Sequence, residues 1–233
     1  MRATTETIHL KGDESLLIIL MGALGDLVRG FCLPAQIKSR YPDVHITWLV
    51  EPRWCDLVAQ HDQIDTMLVF DRPRGLKALP ELKRRLRRSA FDITLDLQRH
   101  FKSGVFAYLS GSPQRLGFHP RNAKEFNWLF NNRYIPFYDE CRSKLQQYLQ
   151  FNALLGIDIA RPLDFGLSAA AAAPLPLSLP PAYIVMVMGS SWATKNWHAE
   201  GYRQLLAWVL KTTAMGVVLV GDRSQKHTAR TVR

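Results

Sequence analysis

Apolar positions along this chain gather into short runs separated by stretches with helical spacing. The runs at 16–21, 45–50, 66–70 and 92–97 are rich in Leu, Ile and Val, as strands buried on both faces require. Between and after them the pattern predicts helices over about 26–41, 54–60, 76–88, 103–109 and 143–155, with an irregular stretch before the last. Strands alternating with helices in this way predict a parallel sheet covered by helices, an α/β fold. The segment 168–181, SAAAAAPLPLSLPP, breaks the pattern, because its prolines exclude a continuous helix or a central strand. Beyond it come a strand at 183–188, a helix over about 199–211, a strand at 217–220 and a polar tail. The expected organisation is a first domain over 1–167, a linker over 168–181 and a second domain over 182–233. One βαβ unit rarely buries enough surface to stand alone, so the second domain reads as incomplete and the chain as part of a longer protein.

Composition narrows the class. Of the 233 residues 47% are hydrophobic, enough for a substantial core, and the net charge of +10 points to an anionic partner: a phosphorylated substrate, an anionic membrane surface or nucleic acid. Cys32, Cys55 and Cys141 are scattered and form no C-x-x-C, which suggests neither a disulfide framework nor a zinc site. The longest apolar run is too short to span a bilayer, so any membrane contact is expected to be peripheral.

Two strand ends carry candidate chemistry. The segment GSSWATKNWHAEGYRQL follows the strand at 183–188, and Gly189, Ser190 and Ser191 could offer backbone N–H groups and hydroxyls to phosphate oxygens. Lys195 would add charge, and the helix beginning near Ala199 would favour an anion at its start. The same residues also suit an ordinary strand-to-helix loop with a solvated lysine. The first strand ends in Met21-Gly22-Ala23-Leu24-Gly25-Asp26, which is neither a Walker A loop nor a complete dinucleotide fingerprint. Asp26 can cap a helix start, and it can also take a proton at the mouth of a cleft.

Three segments together resemble glycosyltransferase family 9, the lipopolysaccharide heptosyltransferases. GALGDLVRGFCLPA, from Gly22, is similar to the family's opening small-x-Leu/Met-Gly-Asp followed by Leu-Pro-Ala. DITLDLQRHFKS, from Asp92, is similar to its Asp-x-Gln-Gly-x-x-Lys-Ser, and Lys195, Trp197, Glu200 and Tyr202 stand at the spacing of its Lys-x-Trp-Pro-x-Glu-x-Trp/Tyr. The resemblance implies a GT-B fold: two Rossmann-like domains with parallel sheets, acceptor mostly on the first and nucleotide sugar mostly on the second. It implies inverting transfer of a heptose or similar sugar, from ADP-heptose, to a phosphorylated, lipid-linked lipopolysaccharide core acceptor at the cytoplasmic membrane face. Asp26 would be the catalytic base, with Gly25 beside it on the acceptor side. Ser190, Ser191 and Lys195 would hold the donor diphosphate, and Gln225 stands roughly where the family has a glutamate near the nucleoside. The chain contains no Asp-x-Asp, so neither a metal nor any other cofactor is expected.

Arg99 stands where the family has glycine, and His198 where it has proline. The family's Asp-Ser/Thr-Gly-x-x-His segment, a second phosphate grip, would fall beyond Arg233, so little transfer activity is expected of these residues alone. Lys102, at a motif position, with Arg115 and Arg121, is the candidate for the acceptor's anionic groups; Lys124 is a further cation in that region. The run Lys83, Arg84, Arg85, Arg87 and Arg88 reads first as a solvated helix face and second as a contact for anionic lipid. Phe118, Phe126, Trp128 and Phe130 read as satellite core rather than a sugar platform. The rival reading is a non-catalytic basic Rossmann-like module that binds nucleotide, nucleic acid or anionic lipid; the transferase reading expects no nucleic acid partner.

Overall fold

The computed structural model describes residues 6–71, 75, 77, 79–139, 141–160, 162–168, 178–190 and 193–232. The chain divides into two compact units, Met1–Ala172 and Ala173–Arg233. Most of the expected linker lies outside the described residues.

The first unit is built on six parallel strands, β1 (Ser15–Ile19), β2 (His45–Val50), β3 (Thr66–Val69), β4 (Ile93–Asp96), β5 (Gln114–Gly117) and β6 (Arg133–Tyr134), in the order β3-β2-β1-β4-β5-β6. In register, Leu17 of β1 lies between Thr47 and Thr94. The continuous apolar character of β1 follows from this central place. Leu16 and Ile18 face one helical layer, while Leu17 and Ile19 face the other. The first layer packs α1 (Leu24–Gly30), α2 (Cys32–Arg40), α3 (Cys55–Val58) and α6 (Lys144–Leu154) around Phe31, Trp48, Tyr148 and Phe151. The second packs α4 (Leu79–Arg88) and α5 (Phe101–Ser110) through Leu82, Leu86 and Phe106.

Several expectations are corrected. The helix expected over 26–41 is two helices that meet at Phe31, because Pro34 has no N–H for the Gly30 carbonyl and its ring crowds that group. The helix expected over 54–60 is a short 3-10 turn, Pro52–Trp54, followed by α3. The irregular stretch contains β5 and β6, which are short and rich in polar residues, with a 3-10 turn, Asn127–Phe130, between them. Phe118 is core, but Phe126 is 69% exposed, with φ of 56°, and belongs to no core cluster. Cys32, Cys55 and Cys141 are free thiols.

In the second unit β7 (Tyr183–Val187) and β8 (Gly216–Val220) pair in parallel, joined by α7 (Ala199–Thr212). The polar tail holds a 3-10 turn, Arg223–Gln225, and α8 (Lys226–Thr231). A small core of Met186, Met188, Tyr202 and Val232 fills the space between sheet and helices.

Candidate functional site

In the first unit the loop after β1 is held from the neighbouring strand end. Gln98, just past β4, accepts a hydrogen bond from the Met21 N–H at 2.8 Å and donates to the Gly22 carbonyl at 3.0 Å. One amide side chain thus satisfies both a donor and an acceptor of the loop that leads into Asp26. Gly22 has φ of +153°, and a Cβ there would stand 2.9 Å from the Trp54 indole nitrogen, so the loop accommodates no larger residue at that point. Asp26 lies in the first turn of α1, where its backbone N–H donates to the Ala23 carbonyl. No side chain caps this helix, so the capping role weighed for Asp26 is not the one it performs. Its side chain is 26% exposed, with Arg29 NH1 3.5 Å and Lys144 Nζ 3.6 Å from Oδ1. Arg29 also donates to the Gly25 carbonyl at 2.8 Å.

Beneath Gln98 sits Asp96, fully buried at the end of β4. Its carboxylate accepts from Asn127 Nδ2 at 2.6 Å, from Asn131 Nδ2 at 3.4 Å and from the Gln98 N–H at 3.1 Å. Burial pushes its pKa up, while the bonds from Asn127, Ser103, Gln98 and Asn131 pull the other way. This network ties β4 to α5 and to the Asn127–Phe130 turn, making a rigid floor below the Gln98 clamp.

The expected acceptor cations occupy different surroundings. Lys102 Nζ lies 4.2 Å from the centre of the Phe70 ring, beside a cavity of about 330 Å³ lined by Phe70, Leu79, Phe101, Val105 and Phe106. Arg115 is turned inward: Nε donates to the Phe130 carbonyl at 2.8 Å and NH1 to the Ser112 carbonyl at 2.6 Å, and burial lowers its pKa. Arg121 stacks over Phe137 at 4.2 Å. Of the expected acceptor-side residues, Gly25 meets the surroundings of Asp26 through Arg29.

In the second unit the loop after β7 organises itself. The Ser190 N–H donates to Asn196 Oδ1 at 2.6 Å, so that backbone donor, expected to face a phosphate, closes the loop instead. Ser191 lies outside the described residues. Lys195 ends a 3-10 turn, Ala193–Lys195, and is exposed. His198 takes over at the position where proline was noted as usual: its Nδ1 accepts from the Gly201 N–H at 2.9 Å and caps α7. Glu200 is held by Arg203 at 2.6 and 2.7 Å and by Gln204 at 2.9 Å, which lowers its pKa to about 2. Gln225 is buried against Gly189 and Gly221 at the ends of β7 and β8, and its Oε1 accepts from the Asp222 N–H at 2.7 Å in a capping box. Its amide is therefore a structural brace at the strand ends as well as a lining residue of the adjoining cavity. Among the described residues no group of three His, Cys, Asp or Glu side chains is arranged to hold a metal ion, and no helix is long and apolar enough to cross a membrane.

Both loops sit at the carboxyl edge of a parallel sheet, where open α/β folds place their ligands. Sequence reasoning found Asp26 and Lys195 there but passed over Arg29, one helical turn along α1 from Asp26, and Lys144, which meets Asp26 through the packing of α6 beside α1.

A sequence model of glycosyltransferase family 9 (heptosyltransferase) matches residues 80–233. The lipopolysaccharide core heptosyltransferase OpsX of Haemophilus influenzae is 26% identical over 203 residues, covering 85% of this chain and 57% of that protein. The chain thus spans little more than half the length of this relative. Among solved structures, E. coli heptosyltransferase WaaC with ADP-2-deoxy-2-fluoro heptose superposes with a TM-score of 0.76 at 17% identity, over 94% of this chain and 72% of that one. E. coli ADP-heptose lps heptosyltransferase II gives 0.72 at 18% identity, over 94% and 67%. These likenesses give the fold, GT-B.

Proposed function

The chain belongs to glycosyltransferase family 9, and from that premise we propose that it serves an inverting transfer of a heptose, or a similar sugar, to a phosphorylated lipopolysaccharide core saccharide. The donor is a nucleotide sugar, ADP-heptose in this reading; a solved relative that carries ADP-2-deoxy-2-fluoro heptose supports that choice. Asp26 takes the proton from the acceptor hydroxyl as its oxygen bonds to the anomeric carbon. The bond from that carbon to the diphosphate breaks, and its electron pair leaves with the nucleotide. Lys195 offsets the charge that develops on the departing diphosphate. Ser190 and Ser191 belong to the same donor loop, and Gln225 braces its edge. No metal enters the scheme.

The observation that carries this reading is the placement of Asp26, a half-buried carboxylate in the first turn of α1, directly after a loop that Gln98 clamps at the carboxyl edge of the sheet. The fixed loop gives a general base the constant position that proton transfer needs. In the native protein Asp26→Asn should lower kcat by about 10²–10⁴-fold with the fold intact, while Lys195→Ala should raise donor KM and lower turnover. Normal turnover in Asp26→Asn would remove it as the base, and unchanged donor kinetics in Lys195→Ala would remove the phosphate role.

The domain division is proposed as 1–167 on the acceptor side, a linker over 168–181, and 182–233 on the donor side. Transfer to a lipid-linked acceptor also implies peripheral contact with the anionic cytoplasmic membrane surface, which we place on the outer face of α4.

A further inference from the structure

Two consecutive side-chain-bearing residues, Glu125 and Phe126, hold φ of 51° and 56°, in the left-handed region that suits glycine. A bulky aromatic residue there is strained, and such strain persists only where surrounding bonds impose it. Here they do. The Lys124 N–H donates to the Arg99 carbonyl at 3.0 Å, and Arg99 is itself left-handed, with φ of 69°. The Glu125 carboxylate accepts from the Phe101 N–H, at the start of α5, at 3.1 Å, and its other oxygen lies 3.1 Å from His100 Nδ1. On the far side the Asn127 N–H donates to the Lys124 carbonyl and the Leu129 N–H to the Phe126 carbonyl. The turn is therefore fixed, yet the ring it carries packs into neither core of the first unit and is 69% exposed. Packing does not offset this strain, which points to a ligand.

Two features indicate the ligand's chemistry. The first is place: Arg99 follows Gln98, whose amide clamps the loop leading into Asp26, so the turn bonded to Arg99 stands at the same carboxyl edge of the sheet. The second is the group beside the ring. Hydrogen bonds from His100 and from the Phe101 N–H hold the Glu125 carboxyl below its usual range, so it is ionised and can only accept. Glu125 is exposed and His100 partly so. An aromatic face next to a fixed acceptor matches a pyranose ring, whose C–H face lies on the aromatic ring while its hydroxyls donate to the carboxylate. An anionic lipid surface would be repelled by the same carboxylate.

We propose that Phe126 is a stacking platform for a sugar ring of the acceptor saccharide, with the Glu125 carboxylate accepting from that ring's hydroxyls. The proposal rests on the reading of the first unit as the acceptor side. It requires no charge on the sugar, and it sets how the ring lies rather than the chemistry at the reacting hydroxyl. Phe126, read from the sequence as satellite core, is thus the aromatic of that group that the backbone turns outward.

The test exploits the strain. Phe126→Gly suits the left-handed backbone, so a platform predicts that the thermal midpoint is held or raised while contact with saccharide is lost. Contact is read in the native protein by saturation transfer from aromatic protons to methyl α-mannopyranoside, a neutral probe, beside kinetics with the acceptor freed of its lipid. Phe126→Gly should weaken binding of the probe and raise acceptor KM, each by roughly three- to tenfold as for the loss of one aromatic face contact, with kcat little changed. Phe126→Trp should restore both. A lowered midpoint in Phe126→Gly would make the ring a packing residue and overturn the platform. Unchanged probe contact and acceptor KM in Phe126→Gly would overturn it as well, even if Asp26→Asn abolishes turnover, and a loss confined to binding of anionic vesicles would assign the ring to lipid instead. Weakened probe contact in Phe126→Gly with normal turnover in Asp26→Asn would keep the platform and reject the base.

Discussion

At the scale of single residues, the candidate site depends on one amide. Gln98 holds the loop after β1 by accepting from Met21 and donating to Gly22, and so bridges the ends of β1 and β4. Truncation to alanine leaves a partly buried N–H and a C=O unsatisfied together, a loss of about 1–3 kcal/mol. Gln98→Ala should therefore lower the urea midpoint, and because the loop positions Asp26 it should also lower kcat while acceptor KM moves little. Gln98→Glu keeps the acceptor for Met21 and loses the donor to Gly22, so it should fall between alanine and wild type in both measurements. If Gln98→Ala is destabilised yet turns over normally, the amide is only structural and Asp26 needs no clamp. Gln98 acts here as a positioning residue; Asp26 alone of the two is placed at the reacting atoms.

At the scale of elements, the start of α7 joins sequence to geometry most tightly. Gly201 lies in its first turn, and its N–H donates to the capping His198. A Cβ on Gly201 would stand 2.4 Å from the Trp197 ring, which itself meets Tyr202 edge-on at 5.2 Å. In an ordinary helix Gly→Ala stabilises by about 0.5–1 kcal/mol. Here the sign should reverse, to a loss of about 1–3 kcal/mol from overpacking, and thermal melts of Gly201→Ala should show it; Trp197→Leu in the same chain should recover most of the loss. A raised midpoint for Gly201→Ala would mean that Trp197 swings away without consequence. β1, β2 and β4 were legible because apolar runs buried on both faces are a strong pattern, and the strands flanking this helix because YIVMV and GVVLV are continuous apolar runs. β5 and β6 were not: QRLG and RY carry too few apolar residues, and an edge position imposes little on them. The break between α1 and α2 was visible in Pro34, yet the stretch reads as one helix because helical spacing continues past it. In the site, Asp26 and Lys195 were legible as polar residues after apolar strands, whereas the pairing of Lys144 with Asp26 exists only because α6 returns to pack on α1 and α2. Arg115, a candidate through the resemblance, donates to the carbonyls of Phe130 and Ser112, bonds that its place in the sequence did not announce.

At the scale of the whole molecule, charge is distributed unevenly. The chain carries +10, and α4 alone contributes Lys83, Arg84, Arg85, Arg87 and Arg88 against the single acid Glu81. Leu82 and Leu86 turn into the core, so Lys83, Arg84, Arg87 and Arg88 remain exposed on its outer side. Beside α4, α5 exposes Phe101 and Tyr108, which lie seven residues apart on one helical face, next to the apolar cavity that Leu79 and Phe101 share. Cations beside exposed aromatic rings are the composition of an interfacial contact, in which basic residues near an anionic surface contribute about 1 kcal/mol each. The protein should therefore cosediment with vesicles containing anionic phospholipid and not with neutral ones, and salt should release most of it. Net charge alone would predict the same, so the deciding comparison is between two sets of reversals to glutamate. Reversal of Lys83, Arg84, Arg87 and Arg88 should abolish sedimentation, whereas reversal of Lys211, Arg223, Lys226 and Arg230 in the second unit should leave most of it. Equal loss from both sets would make the attraction a property of total charge and dissolve the α4 surface as a distinct contact. Selective loss from the first, with residual binding in salt further reduced by Phe101→Ser, would fix the membrane-facing side of the acceptor unit to the layer that holds α4 and α5.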